Sequence, residues 1–207
     1  MTPSLTIASK LTQHQAACRA CTRCVEDGLL PEANPTFEGN AGARIFLVGQ
    51  APGPVEKESR RPFSGRAGKE LVRWMERAGW ESEAHFRNHV YIASMARCFP
   101  GRNPQNTGDL APSRACVANC LPWLEAELTL LRPLAILAVG GMAITHFLGA
   151  GKLGDRVGNA YGSDPVVIPL PHPSGQSRWL NSLDNRARLA AALDLVSAQR
   201  VRCLTQS

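Results

Sequence analysis

Cysteines are the residues whose spacing points most directly to chemistry in this chain of 207 residues. Three lie at regular intervals near the N-terminus, three follow far downstream, and one stands alone near the C-terminus: Cys18, Cys21, Cys24, Cys98, Cys116, Cys120 and Cys203. A CxxC pair with two distant cysteines could supply the four thiolates of a [4Fe–4S] cluster, and zinc accepts the same ligands. The spacing predicts ligation of a metal or cluster without choosing iron over zinc. Buried structural thiols are the alternative, and the last cysteine is interpreted as one.

The place of the fourth ligand depends on a proline. Pro122 is tolerated in the first turn of a helix, which would put Cys120 at the mouth of that helix. The helix dipole favours a thiolate there. Cys116 competes with Cys120 for this role, and Cys18 competes with Cys24 for a place in the first pair.

Four short apolar runs predict the strands that must position such a site. They are Arg44–Val48, Val90–Met95, Leu134–Val139 and Pro165–Leu170. Segments with helical periodicity lie between them, and a last helix is predicted over Leu183–Val201. Strands that alternate with helices indicate an α/β fold, with a mainly parallel sheet covered by helices on both faces.

Glycine- and proline-rich segments directly follow three of these runs. Gly49–Gly53 (GQAPG) follows the first, Ala96–Pro104 (ARCFPGRNP) the second, and Pro171–Trp179 (PHPSGQSRW) the fourth. Because ligands bind beyond the carboxyl ends of parallel strands, we expect the three loops to share one rim of the sheet. The stretch 100–113 is rich in Gly, Pro and Asn, which favours an irregular loop.

The composition limits the class of protein. Hydrophobic residues make up 44% of the chain and charged residues 19%, and no apolar stretch is long enough to span a membrane. A net charge of +6 favours a polyanionic partner without proving one. The N-terminus shows no secretory signal. We therefore expect one domain over residues 1–207, a cytoplasmic location, a monomer and no membrane partner.

Several segments, taken together and in this order, resemble the uracil-DNA glycosylase superfamily. The resemblance is closest to its family 4, the bacterial and archaeal enzymes that carry a [4Fe–4S] cluster. The matching segments are Cys21–Cys24 (CTRC), Phe46–Gly53 (FLVGQAPG) with Glu56, Arg61–Gly68 (RPFSGRAG), Val90–Ile92 (VYI) leading to Cys98, Cys120–Glu125 (CLPWLE) leading to Leu131–Pro133 (LRP), and His172–Ser174 (HPS).

The resemblance implies a fold, a cofactor and an activity. The fold is a three-layer α/β/α sandwich around a four-stranded parallel sheet, formed by a single uracil-DNA glycosylase-like domain. The ligands of a structural [4Fe–4S] cluster would be Cys21, Cys24, Cys98 and Cys120, although the interval between the last two looks longer than is usual in family 4. The activity is hydrolysis of the N-glycosidic bond of uracil in DNA after base flipping, which leaves an abasic site for base excision repair.

Roles in the base pocket also follow from the resemblance. His172 would donate a hydrogen bond to the departing base, whose negative charge develops as the bond breaks. Gln50 and Ala51 lie in the loop whose main chain approaches the base, and Gln50 is also a candidate catalytic residue through its main-chain contact. Phe63 would stack on the base. Packing in the core is the alternative for Phe63.

Two departures from family 4 concern the positions that activate water and read the base. Gln50 stands where the family usually has glutamate, and Ala51 stands where family 1 has the aspartate that positions water. Glu56 is the remaining candidate to orient water, although it could also be a solvated residue at the start of a helix. Ser94 replaces the asparagine that pairs with the uracil edge. Because a hydroxyl can rotate between donor and acceptor roles, we expect a substrate range that extends to other deaminated bases such as hypoxanthine or xanthine.

Contacts to DNA are expected on two segments. Gly65, Arg66 and Gly68 open a helix whose free N–H groups could hold a phosphate. The other segment resembles the loop of mismatch-specific uracil/thymine glycosylases and comprises Ser174, Gly175, Gln176, Ser177 and Arg178. In that loop Gln176 would fill the gap left by the flipped base, and Arg178 would contact phosphate or the opposite strand.

Two other functions fit the same residues. Because the usual catalytic carboxylates are missing, the chain could bind uracil-containing or abasic DNA with little turnover. A more distant alternative is an α/β nucleotide-binding protein with a structural zinc site.

Overall fold

A computed structural model describes residues 6–174 and 178–205. Its sheet confirms the four predicted strands, whose ends shift by one residue at most. The strands are β1 (Ile45–Gly49), β2 (Val90–Ser94), β3 (Ala135–Val139) and β4 (Val166–Leu170). All three pairings are parallel, and the order across the sheet is β2-β1-β3-β4. Because the chain leaves β1 first to one side and then to the other, the carboxyl ends of β1 and β3 flank a topological switch point, where α/β folds bind ligands.

Helices cover both faces of the sheet, as the alternation predicts. They are α1 (Ile7–Arg19), α2 (Arg23–Glu26), α3 (Pro54–Ser59), α4 (Arg66–Arg77), α5 (Glu83–His89), α6 (Arg114–Leu131), α7 (Gly141–Leu148), α8 (Leu153–Arg156) and α9 (Leu183–Thr205), with a 3-10 helix at Arg178–Asn181. The last helix begins at the predicted residue and runs four residues further than predicted, to Thr205.

The two faces of the sheet are built from alternate residues of each strand. Ile45 and Leu47 pack in one apolar cluster with residues of α4, α5 and α9. Phe46 and Val48 point to the opposite face and pack with residues of α1, α6 and α7. All four side chains are at most 1% exposed. This period-two burial on both sides produces the α/β/α sandwich implied by the sequence.

The start of α6 differs from the prediction. The helix begins at Arg114, and the Ser113 hydroxyl caps it by accepting a hydrogen bond from the Cys116 N–H at 3.1 Å. Pro122 therefore lies inside the helix, and Cys120 sits in its second turn instead of at its mouth. Two local features compete to mark the helix start, the Ser113 hydroxyl and the proline at position 122. The serine prevails because its hydroxyl accepts the otherwise free Cys116 N–H, whereas a proline side chain cannot accept a hydrogen bond.

The stretch 100–113 is more ordered than the irregular loop that its composition predicts. Within it, residues 101–110 form a small hairpin, in which Arg102 and Asp109 make an isolated antiparallel bridge. The Asn103 N–H donates to the Gly108 carbonyl at 2.9 Å. In the described ranges, no helix is long and apolar enough to cross a membrane.

Candidate active site

A cavity of about 640 Å³ opens at the carboxyl ends of the strands. The loops after β1, β3 and β4 line it together with the hairpin that follows β2, so the prediction that these loops share one rim is confirmed for the residues described. Its lining includes Gln50, Ala51, Gly53, Glu56, Phe63, Arg66, Ser94, Arg102, Asp109, Gly140, His172 and Ser174. The volume suits a small organic group such as a nucleobase.

His172 follows β4 and presents one defined tautomer to this cavity. Its Nδ1 atom accepts a hydrogen bond from the Ser174 N–H at 3.2 Å, which leaves Nε2 as the protonated nitrogen of a neutral ring. Burial lowers the pKa of His172, so the ring stays neutral at pH 7. Gly140 backs the ring, since a Cβ there would lie 3.4 Å from His172 Cδ2. The site therefore offers a fixed neutral N–H donor.

Phe63 is held in an unusual backbone conformation at the edge of the cavity. Its φ of 51° lies in the left-handed region, which non-glycine residues seldom occupy. The ring rests against Gly49, where a Cβ would come within 2.9 Å of Phe63 Cζ. A Cβ on Gly68 would come within 1.8 Å of the Phe63 carbonyl oxygen. Both glycines are thus required for the placement of Phe63, and stacking on a base stays a prediction.

Arg87 on α5 holds the main chain at Pro62 and Phe63 in place. Its guanidinium donates to the carbonyl oxygens of Pro62 and Phe63, each at 3.0 Å. It also pairs with Glu38 at 2.6 Å and with Glu83 at 2.8 Å, although the side chain is only 2% exposed. The planar fork of arginine serves four acceptors at once, so Arg87 is a positioning residue for Phe63.

Replacing Arg87 with lysine should loosen the Phe63 segment. A lysine ammonium is a point donor that cannot serve both carbonyls and both carboxylates. We expect single-turnover cleavage of uracil-containing DNA, the substrate that the sequence resemblance implies, to slow by about tenfold, and the free energy of unfolding to fall by about 1–3 kcal/mol. Arg73→Lys is the matched control, because Arg73 is 71% exposed and pairs only with Glu70 among the described residues. A loss of stability with an unchanged cleavage rate would limit Arg87 to a structural role.

Glu56 joins the two loops that frame the cavity. It is 8% exposed, and its two carboxylate oxygens accept hydrogen bonds from the Gly53 N–H at 3.1 Å and the Gly65 N–H at 2.8 Å. The interpretation of Glu56 as a solvated helix-end residue is therefore wrong. The Gly65 N–H, predicted to be free for phosphate, is instead occupied by Glu56, because a buried carboxylate needs such donors. Arg66, the first residue of α4, lines the cavity.

The other predicted base-pocket residues lie where β1 and β2 end. Ser94 is 4% exposed and pairs in register with Gly49. The Gln50 carbonyl accepts a hydrogen bond from the Ala96 N–H at 3.0 Å, which ties the two loops together. Arg178 begins the 3-10 helix and is exposed. The predictions for Gly175, Gln176 and Ser177 lie outside the described residues.

Five cysteines line a second, much smaller cavity, which lies between the N-terminal helices, the segment after β2 and α6. They are Cys18, Cys21, Cys24, Cys98 and Cys120. Cys116 is buried beside Cys24 but does not line this cavity. Cys203 is buried near the end of α9, as predicted for an ordinary thiol.

Hydrogen bonds distinguish three of these sulfur atoms. The Asn34 N–H donates to Cys98 Sγ at 3.4 Å and the Arg97 N–H donates to Cys120 Sγ at 3.3 Å. The Asn119 side-chain amide lies 3.7 Å from Cys24 Sγ. N–H groups directed at sulfur favour the thiolate form and are the usual outer contacts of iron–sulfur clusters. They support Cys120 over Cys116 as a ligand.

Burial and a nearby arginine have opposite effects on the thiols at this cavity. Burial raises the pKa of the Cys24 thiol to about 12 and the pKa values of Cys98 and Cys120 to about 11. Arg97 is buried against the cavity and pairs with Glu127, while its Nε and Nη1 atoms have no hydrogen-bond partner in the described part of the chain. A buried cation beside buried thiols favours ligation of a group that draws off the thiol protons. Across the described residues, no three His, Cys, Asp or Glu side chains form a site for a single metal ion, so the cluster stays a prediction.

Two residues of the active-site region were missed by the sequence reasoning. Arg87 lies on a helix far along the chain from Phe63, and an arginine in an amphipathic helix gives no sign of burial. Asp109 lies on the hairpin at the cavity. The turn-forming residues of Asn103–Gly108 were a usable signal, because they predict a hairpin that could return Asp109 towards the rim.

Comparison with known proteins agrees with this geometry. Residues 36–196 match the uracil DNA glycosylase superfamily. The type-4 uracil-DNA glycosylase of Pyrobaculum aerophilum is 34% identical over 146 residues, which cover 68% of each chain. The type-4 enzyme of Thermotoga maritima is 32% identical over 143 residues, 66% of this chain and 68% of the relative. A type-5 uracil-DNA glycosylase of Pyrobaculum aerophilum is 29% identical over 150 residues, 66% of this chain and 63% of the relative.

Proposed function

The chain belongs to the uracil-DNA glycosylase superfamily, and from this we propose that it removes uracil from DNA by hydrolysing the N-glycosidic bond. The uracil nucleotide is flipped out of the stack into the cavity at the strand ends, and an abasic site remains for base excision repair. The observation that carries the proposal is the neutral His172, which lines that cavity with Nε2–H as its donor.

Departure of the base is the step that His172 assists. As the bond breaks, negative charge builds on the uracil ring and positive charge on the sugar. A fixed N–H aimed at the base oxygen stabilises that negative charge, and it acts strongly because the ring is half-buried and already held in place. The negative charge of the buried Glu56 carboxylate is proposed to stabilise the positive charge that develops on the sugar.

Phe63 and the loop after β1 position the base for that step. Stacking of a flipped base on an aromatic ring contributes about 1–3 kcal/mol, which offsets part of the cost of flipping. The Gln50–Ala51 main chain, tied to the segment after β2 through the Ala96 N–H, lines the same cavity.

DNA contacts surround the cavity in this proposal. Arg66 at the start of α4 and the exposed Arg178 are the proposed phosphate contacts, in keeping with the net charge of +6. Ser174 borders the cavity and leads into the segment of Gly175, Gln176 and Ser177, for which the proposed role is to occupy the gap left by the flipped base.

We also propose that Cys21, Cys24, Cys98 and Cys120 hold a [4Fe–4S] cluster. The three N–H···S contacts and the buried Arg97 support this ligand set. When bound, the cluster supplies a structural link between the N-terminal helices, the segment after β2 and α6, and takes no part in base removal.

A broader base range is proposed on the strength of Ser94. Its side chain is buried at the end of β2 and borders the cavity, where a rotating hydroxyl can serve bases with different edges. Ser94→Asn should lower excision of hypoxanthine and xanthine relative to uracil by roughly tenfold, because a fixed amide rejects bases whose groups do not match it. Ser94→Ala separates loss of the hydroxyl from gain of the amide. Because it removes the hydroxyl without adding an amide, it should not create a preference for uracil.

One assay tests these proposals together. Oligonucleotides carrying uracil, hypoxanthine or xanthine are incubated with excess protein, treated with alkali, and resolved by length. Cleavage at uracil is expected. Tight binding to uracil-containing or abasic DNA without cleavage would favour the binding-protein alternative. Cleavage confined to uracil would contradict the broader range while leaving uracil removal intact.

A further inference from the structure

Two carboxylates line the cavity, and they differ in how many hydrogen bonds they already accept. Among the described lining residues, the acidic ones are Glu56 and Asp109. Each Glu56 oxygen already accepts a backbone N–H, from Gly53 and from Gly65. Glu56 therefore holds the two loops in place and is buried, with each of its oxygens already accepting one main-chain N–H.

Asp109 reaches the cavity from a separate structural unit. It lies on the returning arm of the hairpin formed by residues 101–110, where it bridges to Arg102. The Asn103–Gly108 hydrogen bond closes the turn. This support is local and short, so it fixes where the aspartate enters the cavity.

The Asp109 carboxylate faces the same point as Glu56. A Cβ on Gly53 would lie 3.3 Å from Asp109 Oδ2 and 2.8 Å from Glu56 Oε2. The Asp109 partner is Arg102, whose Nε lies 4.0 Å from Oδ1. None of the described residues donates a hydrogen bond to Oδ2, and the side chain is 42% exposed, so water can reach it.

The surroundings of Asp109 also suit a proton acceptor. Burial raises its pKa above the ordinary value, and the nearby Glu56 carboxylate acts in the same direction, while Arg102 opposes both. A carboxylate with a raised pKa accepts a proton more readily than an ordinary aspartate. The loop after β1 offers no such group, since it carries Gln50 and Ala51.

We propose that Asp109 is the catalytic residue that binds the attacking water and accepts its proton, an assignment that rests on the base-removing function proposed above. The electron pair of the glycosidic bond leaves with the base. The water oxygen then bonds to C1′ of the sugar, and the proton it loses passes to Asp109 Oδ2 and on to solvent. The base anion takes a proton from solvent as it departs, so atoms and charge balance.

Asp109→Asn and Asp109→Ala test the assignment in single-turnover cleavage of a uracil-containing oligonucleotide. Both should slow cleavage by about 10²–10⁴-fold, the usual contribution of a general base. Affinity for an oligonucleotide with 2′-fluorinated deoxyuridine, which resists cleavage, should stay within about threefold of wild type, because Asp109 acts on water. Glu58→Gln is the charge-matched control, since Glu58 is exposed on α3 and lies outside the cavity.

Chemical rescue distinguishes a water-binding role from support of the hairpin. Added formate should restore part of the Asp109→Ala rate, because a small carboxylate can occupy the space left by the side chain. Arg102→Gln removes the hairpin ion pair but keeps the aspartate, so its rate should stay well above that of Asp109→Asn. Equal losses in Arg102→Gln and Asp109→Asn, without formate rescue, would overturn the assignment.

Different results would contradict uracil removal and the catalytic role of Asp109. If wild-type protein does not cleave uracil-containing DNA at all, the proposed function is wrong. If wild-type protein cleaves and Asp109→Asn cleaves equally fast, the function stands and only the role of Asp109 is wrong.

Discussion

Replacing His172 with alanine is expected to slow single-turnover excision of uracil by about 10²–10³-fold, the usual cost of removing one donor to a developing anion. The loss should be in the chemical step, because the Nε2–H contact strengthens as charge builds on the base. His172→Gln keeps an N–H group at a similar distance and should lie between alanine and wild type. His146→Ala is the control, because His146 is exposed on α7 and does not line the cavity.

The pH dependence of the excision rate is a second test of the donor role of His172. Burial lowers the pKa of His172, so the neutral ring persists below the ordinary histidine pKa of about 6.5. Protonation at lower pH would put a proton on Nδ1, facing the Ser174 N–H, and the ring would lose its fixed orientation. The rate should therefore be level through pH 6.5 and fall only in more acidic buffer. A fall centred at or above that pH, or a His172→Ala rate within threefold of wild type, would contradict the donor role.

The strands and the common rim could be predicted because their causes are local. Apolar runs such as Ile45–Gly49 are buried on both faces, which leaves a signal in every residue. The rim follows from the rule that parallel strands end on one edge, so Gln50 and His172 line the same cavity although they are far apart in the chain. The CxxC spacing likewise brings Cys21 and Cys24 to one cavity.

The parts that could not be predicted depend on partners distant in sequence. Arg87 is buried because it serves the carbonyls of Pro62 and Phe63, and a residue that bonds to main chain leaves no pattern in its own helix. Glu56 looked free to bind water, yet the Gly53 and Gly65 N–H groups occupy it. Only the folded loops show which polar groups are already satisfied.

Competing local signals explain the remaining error. Ser113 and Pro122 can each mark the start of a helix, and composition alone does not rank them. Because Ser113 caps a helix that begins at Arg114, Cys116 falls in the first turn and Cys120 one turn later. Both cysteines are buried on α6, yet only Cys120 lines the cavity with Cys21, so the corrected helix start bears directly on the ligand assignment.

Cys120→Ser is therefore expected to abolish binding of the proposed [4Fe–4S] cluster, whereas Cys116→Ser should retain it. The Cys120 sulfur accepts the Arg97 N–H and lines the cavity, and a serine hydroxyl is a poor substitute for a thiolate on iron. The measurements are iron and sulfide content and absorbance near 400 nm. Without the cluster, burial keeps the pKa of the Cys120 thiol raised to about 11, so this thiol stays protonated although Arg97 lies nearby.

Loss of the cluster should also lower thermal stability, because the free energy of binding the cluster contributes to the free energy of folding and the metal-free thiols lack this contribution. The effect should concentrate on α1 and α2, which pack against α6 through this site, and proteolysis should cut there first in Cys120→Ser. Cys18→Ser tests the first pair, since Cys18 is buried at the same cavity but outside the proposed ligand set. Iron retained in Cys120→Ser and lost in Cys116→Ser would reverse the assignment, because the fourth thiolate would then come from the first turn of α6.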